Sequence, residues 1–298
     1  MTGKKLTVVI AVEHSQRNLS DILAAITVPG NGPDETIIAH AMDDDTQSEL
    51  KSRFENIVLI KCRQGSRIPH MWAEGFRRAQ GTFVALTTAH CVPEQDWIEK
   101  ILSLDMPEDL AGVGGVFRNS GSASALDWAV FLQRYRQYPV SGQRREVTEI
   151  AADNAVYRRS AIMACEDLLE HGFWEPEFHA RFRTRGLKLV MDPSLVVIHR
   201  NLYTFRQFAA QRIVHGTEFG AARAAKLSIL RNIVLLMLSP ALWLLFLYKI
   251  VSASIRVQEY RIHAVKSFPW LLIFVLCWGY GEGKGYLQGL SRRQRGKK

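Results

Sequence analysis

The side chains best suited to chemistry in this 298-residue chain sit just after short apolar runs. Glu13 follows the run LTVVIAV at 6–12. His40 lies near the end of TIIAHA at 36–41, and the acids Asp43, Asp44 and Asp45 come directly after it. Thr88, Ala89, His90 and Cys91 follow TFVALT at 82–87. A histidine such as His90 can ligate a metal or donate to a phosphate, and in a turn it is as readily structural. The acid cluster after residue 42 reads most simply as a solvated loop. Glu175 and Glu177 open a basic helix, where acids also favour the helix dipole. The four cysteines, Cys62, Cys91, Cys165 and Cys277, contain no CxxC pair, so neither a zinc site nor a disulfide framework is indicated. The net charge of +9 calls for an anionic partner: nucleic acid, a membrane surface or a phosphate-bearing substrate. No aromatic-basic motif of an RNA-binding module is present, which leaves the other two.

Positioning these groups requires a sheet. The runs at 6–12, 36–41, 56–61 and 82–88 read as strands, and 19–26, 69–80 and 94–104 read as helices. Alternation at this spacing predicts an α/β fold with a mostly parallel, doubly wound sheet. Ligands bind such sheets at the carboxyl ends of the strands, just after residues 12, 41 and 88. A further strand is expected over 111–118, and 119–148 reads as an irregular, partly mobile connection. NAVYRRSAIMACEDLLEHG reads as a helix ending at Gly172, and 177–185 as a basic helix closed by Gly186. A strand, LKLVMDP, and a short run, LVVIHR, follow.

The composition then changes. Ile233–Leu247 is apolar except for Ser239 and Pro240, and approaches the ~20 residues needed to cross a bilayer. A second run, Phe268–Tyr280, carries Trp270 and Trp278, residues that favour membrane interfaces. A basic stretch with Arg256, Arg261, His263 and Lys266 separates the two, and the tail is SRRQRGKK. The expected organisation is a domain over 1–225 and membrane-associated helices, an apolar hairpin, over 226–298. A buried core helix and helices lying flat in the interface are the alternatives. The basic tail predicts a cytoplasmic C-terminus at the cytoplasmic membrane, with the α/β domain facing the cytosol.

Several ordered segments carry a family resemblance over residues 5–225: VVIAV, RIPHMWAEGFRRAQGTFVALTTAHCVPEQDW, NAVYRRSAI and WEPEFHARFRTRGLKLVMDPSLVVIH. Together they resemble an inverting family-2 glycosyltransferase with the GT-A (Rossmann-like) fold. The tail run Gly281, Glu282, Gly285, Tyr286 and Gly289 is similar to that of some members as well. The resemblance implies transfer of a sugar from a nucleotide-sugar donor to a lipid-linked or glycan acceptor. Such a transfer needs a base for the acceptor hydroxyl and something to neutralise the departing diphosphate. Counting back from Gly186 puts Glu175 at the family's base, with Glu177 two residues on. By position, Glu13, His40, Asp43, Arg67, Thr88, His90 and His199 fall on the donor side. Asp153, Asn154, Arg158 and Glu177 fall on the acceptor side. The turn after residue 88 departs from the family pattern. Its acidic pair is replaced by Thr88 and Ala89, so a Mn²⁺ or Mg²⁺ site would rest on His90 alone. That loss keeps an alternative open, a weak or inert GT-A-like membrane scaffold in glycan assembly.

Overall fold

The computed structural model describes residues 6–295 except 14, 16, 28, 29, 31, 43–47, 49–51 and 53–56, with side chains undescribed at 226 and 290–295. The chain divides into two compact units. The first ends at Ser120 and resumes over Tyr138–Leu202; the second takes Gly121–Gln137 and everything from Tyr203. The units therefore part at residue 202 rather than 225, because residues 205–226 form a helix that packs with the C-terminal helices.

The first unit carries β1 (Leu6–Val12), α1 (Leu19–Ile26), β2 (Glu35–His40), β3 (Ile57–Lys61), α2 (Ile68–Arg78), β4 (Phe83–Thr88), β5 (Cys91–Pro93), α3 (Trp97–Ser103) and β6 (Leu110–Asn119). After α4 (Ala125–Tyr135), which belongs to the second unit, come β7 (Arg145–Val147), β8 (Asn154–Arg158), α5 (Arg159–Met163), α6 (Glu166–Leu169), α7 (Glu175–Thr184) and β9 (Lys188–His199). The sheet order is β3-β2-β1-β4-β8-β6-β9-β5, with β7 on β9. β1 pairs in parallel with β2 and β4, and all its residues are buried, which is why it reads as one unbroken apolar run. α1 and the four parallel strands stand where the periodicity placed them.

Two expectations fail. NAVYR is strand β8, not the start of a helix: it pairs antiparallel with β4 on one side and β6 on the other. A short apolar run fits strand or helix equally, and here pairing on both edges decides. Asn154 locks it in place. Its Nδ2 donates to the carbonyls of Val116 and Leu195, both at 3.0 Å, and its Oδ1 accepts from Trp97 Nε1 at 2.8 Å. Gly115 leaves the room for this amide, since a Cβ there would collide with Asn154 Nδ2. Nor is 119–148 simply irregular. Its middle is α4, started by a capping box between Ser124 and Asp127.

The second unit adds α8 (Phe205–Lys226), α9 (Ile229–Arg256), a short turn at Gln258–Tyr260, α10 (Arg261–Lys266) and α11 (Phe268–Arg295). Among the described residues α9 is the one helix that alone is long and apolar enough to span a membrane, with mean hydropathy 2.1. Only 11% of that stretch is buried, and Leu230, Met237 and Leu244 lie exposed, so it is not the core helix of this unit. The second apolar run passes the same test only joined to the preceding helix across a 76° bend. That run is instead the start of α11, which packs on α8 backbone to backbone. A Cβ at Gly216 or Gly220 would strike the carbonyls of Trp278 or Glu282, and one at Gly281 or Gly285 those of Ile213 or Thr217. The Gly-x-x-x-Gly spacing of the tail is thus a helix-packing face. Beside it, buried Glu282 accepts from Tyr286 Oη at 2.7 Å and lies 3.8 Å from Arg223.

Gly285→Ala should cost about 1–3 kcal/mol, because its Cβ would also lie 2.6 Å from Ala221 N. Gly283 faces open space, its nearest neighbour being Leu236 Cδ1 at 3.8 Å, so Gly283→Ala should be neutral or stabilising by up to about 1 kcal/mol. Thermal unfolding of the two variants in one detergent distinguishes the tight face from the loose one.

Candidate functional site

The register of the parallel strands aligns their carboxyl ends. Val12 stands opposite His40, and Ala11 opposite Thr88, so the positions after β1, β2 and β4 share one edge. β8 runs the other way and begins at this edge, with Asn154 opposite Thr87. The residue before it, Asp153, therefore meets Thr88: Thr88 Oγ1 donates to Asp153 Oδ1 at 3.2 Å, with both residues buried. One residue further back, the Ala152 N–H donates a long bond, 3.4 Å, to Glu175 Oε1.

Glu175 is the first residue of α7 and is half-buried; Glu177 is exposed. The approach to α7 is fixed by Gly172, at φ +99°, and by the Phe173 N–H, which donates to the Pro69 carbonyl at 2.7 Å. A Cβ at Gly172 would lie 3.2 Å from the Pro69 carbonyl carbon. The start of α7 is thereby held against the start of α2. Arg67, the residue capping α2, lies with its guanidinium 5.6 Å over the Trp174 ring, next to Glu175. His179, four residues after Glu175 on the same face of α7, closes a buried chain. Tyr157 Oη lies 3.1 Å from His179 Nε2, and His179 Nδ1 lies 2.6 Å from Glu149 Oε2. Burial, and then the nearby Glu175 charge, keep the Tyr157 phenol protonated well above its usual range. Nδ1–H of His179 thus donates to the Glu149 carboxylate. Burial pushes Glu149 up, but the bond from His179 and the charges of His179 and Arg183 carry it below the usual carboxylate range. The sequence reading missed this chain, although the four-residue spacing of Glu175 and His179 was visible.

The turn after β4 is tied from four directions. Thr87 Oγ1 donates to the Cys91 carbonyl at 2.9 Å and Trp72 Nε1 to the Thr87 carbonyl at 3.2 Å. Asn18 Nδ2 donates to the Ala89 carbonyl at 2.9 Å, and Arg200 N–H to the His90 carbonyl at 2.7 Å. His90 is buried. His199 ends β9 opposite Cys91, and its Nδ1–H donates to Asn119 Oδ1 at 3.3 Å. His40 is fully buried. Met42 N–H donates to its Nδ1 at 3.1 Å, which leaves Nε2–H as the donor, and that atom meets no partner among the described residues. Burial, then the Lys61 charge, hold His40 below its usual pKa.

The structure thus brings Thr88, Asp153 and Glu175 together and places Glu13, His40, His90 and His199 along the same edge or the turn beside it. It separates the residues read as one acceptor group. Arg158 ends β8 opposite Phe83, five residues and ~16 Å from Asp153. There its guanidinium donates to the Pro107 carbonyl at 2.9 Å and covers the Phe83 ring. Asn154 is consumed by the clamp that seats β8. Asp43, with Asp44 and Asp45, lies outside the described residues. Among those that are described, no group of three or more His, Cys, Asp or Glu is placed to hold a metal. Near the turn the donor set is His90 and Asp153, short of the hard-oxygen shell that Mg²⁺ or Mn²⁺ prefers.

A sequence model of the family described as Glycosyl transferase family 2 matches residues 8–165, more than half of the chain. A Methanococcus voltae protein, dolichyl N-acetyl-alpha-D-glucosaminyl phosphate 3-beta-D-2,3-diacetamido-2,3-dideoxy-beta-D-glucuronosyltransferase, is 24% identical over 288 residues, covering 88% of this chain and 87% of the relative. Among solved structures, the Pyrobaculum calidifontis mannosyltransferase PcManGT, in complex with GDP-Man and Mn²⁺, aligns with TM-score 0.52 and 15% identity over 93% of this chain and 87% of that one. GalNAc-T7 with UDP, GalNAc and Mn²⁺ aligns with TM-score 0.50 and 13% identity over 67% of this chain, which spans 44% of that protein. At these identities the structural likeness is one of fold, the GT-A fold.

The buried, neutral His40 makes a pH prediction. Its folded pKa is depressed, so the unfolded chain binds its proton first as pH falls. The stability it contributes is complete above its unfolded pKa of about 6.5 and drains away below it. Chemical denaturation at pH 7.5 and pH 5.5 should show wild type losing stability and His40→Gln losing less. Equal losses would mean that His40 is not held neutral.

Proposed function

The chain belongs to glycosyl transferase family 2 and is a glycosyltransferase, and on that footing we propose that it moves a sugar from a nucleotide-sugar donor to a lipid-linked acceptor, with Glu175 as the base. The observation that carries this reading is the pair of adjacent residues, Ala152 and Asp153, that gathers two carboxylates at the carboxyl end of β4. Glu175, at the start of α7 and partly open, takes the proton of the attacking acceptor hydroxyl. That oxygen bonds to the anomeric carbon as the bond from this carbon to the donor diphosphate breaks. Charge grows on the departing diphosphate, and the proposed donor side offers cations and donors for it: Arg67, His90 and His199. The orphan Nε2–H of His40 supplies a donor for the nucleoside, with Glu13 and Asp43 as its proposed companions. Asp153, bonded to Thr88, joins this donor side rather than the acceptor side.

The lipid-linked acceptor is supported by the M. voltae relative, whose name specifies a dolichyl-linked phosphate substrate, and by α9, whose exposed apolar surface suits lipid. We place the chain at the cytoplasmic membrane with its transferase unit facing the cytosol, as the basic tail suggests.

Glu175→Gln should lower turnover by about 10²–10⁴-fold while leaving donor affinity within error. The exposed Glu177→Gln, measured beside it on the same sugar nucleotides, should stay near wild type. Near wild-type turnover in Glu175→Gln would remove Glu175 from the role of base.

The donor set beside Thr88 does not form a complete metal cage, so chelation should weaken donor binding only modestly, by less than about tenfold. An added carboxylate, in Ala89→Asp, should strengthen manganese dependence. Calorimetric titration of UDP- and GDP-sugars with chelator and with manganese measures both effects. Complete loss of wild-type binding in chelator would show that a carboxylate outside this set completes a site.

A further inference from the structure

The apolar surface of the second unit lies along one side of α9. Leu230, Met237 and Leu244 recur every seventh residue and are 72%, 76% and 62% exposed, with Val234, Leu245 and Tyr248 exposed beside them. The other side is covered. Asn232 Nδ2 donates to the Ala224 carbonyl of α8 at 3.0 Å. A Cβ on Gly283 would find Leu236 Cδ1 at 3.8 Å, and one on Gly279 would lie 3.0 Å from the Trp243 ring. Phe246 lies 6.1 Å from Trp278. α9 therefore runs antiparallel to α11, with one face packed and one bare.

The charges around α9 stand in the wrong place for a crossing. Leu236 to Phe246 is the middle of the apolar stretch between Arg231 and Lys249. At that level α11 carries Glu282 and Lys284 on either side of Gly283, and Arg223 of α8 lies 3.8 Å from Glu282. Arg212 of α8 lies 5.7 Å over the ring of Trp278, the neighbour of Phe246. Lys284 is exposed and shares a groove with Leu236, Ser239 and Trp243. Were α9 to cross a bilayer, these four charged side chains would enter the hydrocarbon with it. Charge is costly there unless a bundle or water encloses it, and Lys284 is not enclosed. α8, with Arg206, Arg212, Glu218 and Arg223, is itself not apolar enough to cross alongside. Lying parallel to the membrane removes the conflict. The bare stripe then enters the acyl layer while α8 and α11 stay on the water side. Arg231 and Lys249, exposed at the two ends of the stripe, suit anionic headgroups. We propose that α9 lies flat in a single leaflet, so that the chain is held on the membrane from one side only. This rests on the membrane placement given above, and it adds how the chain is seated there.

The test uses the full chain expressed in bacteria, in inverted vesicles whose outer surface is the cytosolic face of the membrane. Single cysteines report sidedness at three exposed positions: Ala225→Cys before α9, Gln258→Cys after it and Glu170→Cys in the first unit. Cys62 and Cys277, the native thiols that are not buried, are replaced by alanine. A membrane-impermeant maleimide should label all three to the same extent before and after detergent. A crossing helix puts its ends on opposite faces, so unequal protection of Ala225→Cys and Gln258→Cys overturns the inference. So does protection of both while Glu170→Cys is labelled, and so does a chain absent from the membrane fraction. Protection of all three together would keep the one-sided seat and overturn the cytosolic placement instead. Met237→Lys combined with Leu244→Lys tests the stripe itself. Affinity for phosphatidylglycerol vesicles, read by flotation, should fall at least about tenfold, with circular dichroism reporting that the variant is folded. Full affinity in the folded double variant overturns the inference and points to a second copy of the chain on the stripe. Sugar transfer that persists when α9 proves to cross leaves the proposed function standing. One-sided labelling without turnover of any sugar nucleotide sinks that function and keeps the seat.

Discussion

The antiparallel insertion of β8 between β4 and β6 is the constraint on which the site depends. Parallel strands deliver only their carboxyl ends to the ligand edge. One strand run backwards delivers the residues before its amino end to the same place. That is how Asp153 reaches Thr88 and how Ala152 reaches Glu175. The arrangement holds because Asn154 spends its whole amide on three partners from α3, β6 and the segment of β9 at Leu195. Each of those bonds is modest alone, but a buried partner left unmet is expensive, so the three act together to fix where the strand begins.

The parts of the fold visible in the sequence were those whose pattern is local. β1 and β4 are buried on both faces and show it as continuous apolar runs. Gly172 and Gly186 marked helix ends because both need positive φ, +99° and +73°. β8 was misread because five residues with one polar head do not reveal a period; partners more than forty residues away make it a strand. α4 was hidden by flanks of glycine, serine and arginine, although LDWAVFLQRY is plainly amphipathic once isolated.

The same reasoning applies to the site. Glu175 could be located by counting from Gly186, a short-range measure. The partnership of Thr88 and Asp153 spans 65 residues and follows from strand register, which a single sequence does not display. The family resemblance put Asp153, Asn154 and Arg158 on one side, and the strand sets them apart. Along a strand, neighbours point to opposite faces and its two ends lie at opposite edges of the sheet.

The path of the chain through α4 has a consequence for how such a protein can arise. α4 leaves the first unit after Ser120 and returns at Tyr138, and its Trp128 and Phe131 are buried against Tyr260, with Trp128 also stacked on His263. The polypeptide thus crosses between the units three times. A helical anchor joined to a finished enzyme by gene fusion would cross once. Here no single cut separates the two units: cleavage at 202 would strand an apolar helix, bereft of its packing, in the middle of the catalytic unit. Neither unit can therefore be obtained whole by cutting the chain once, and excision of either would have to deal with α4 as well as with residue 202.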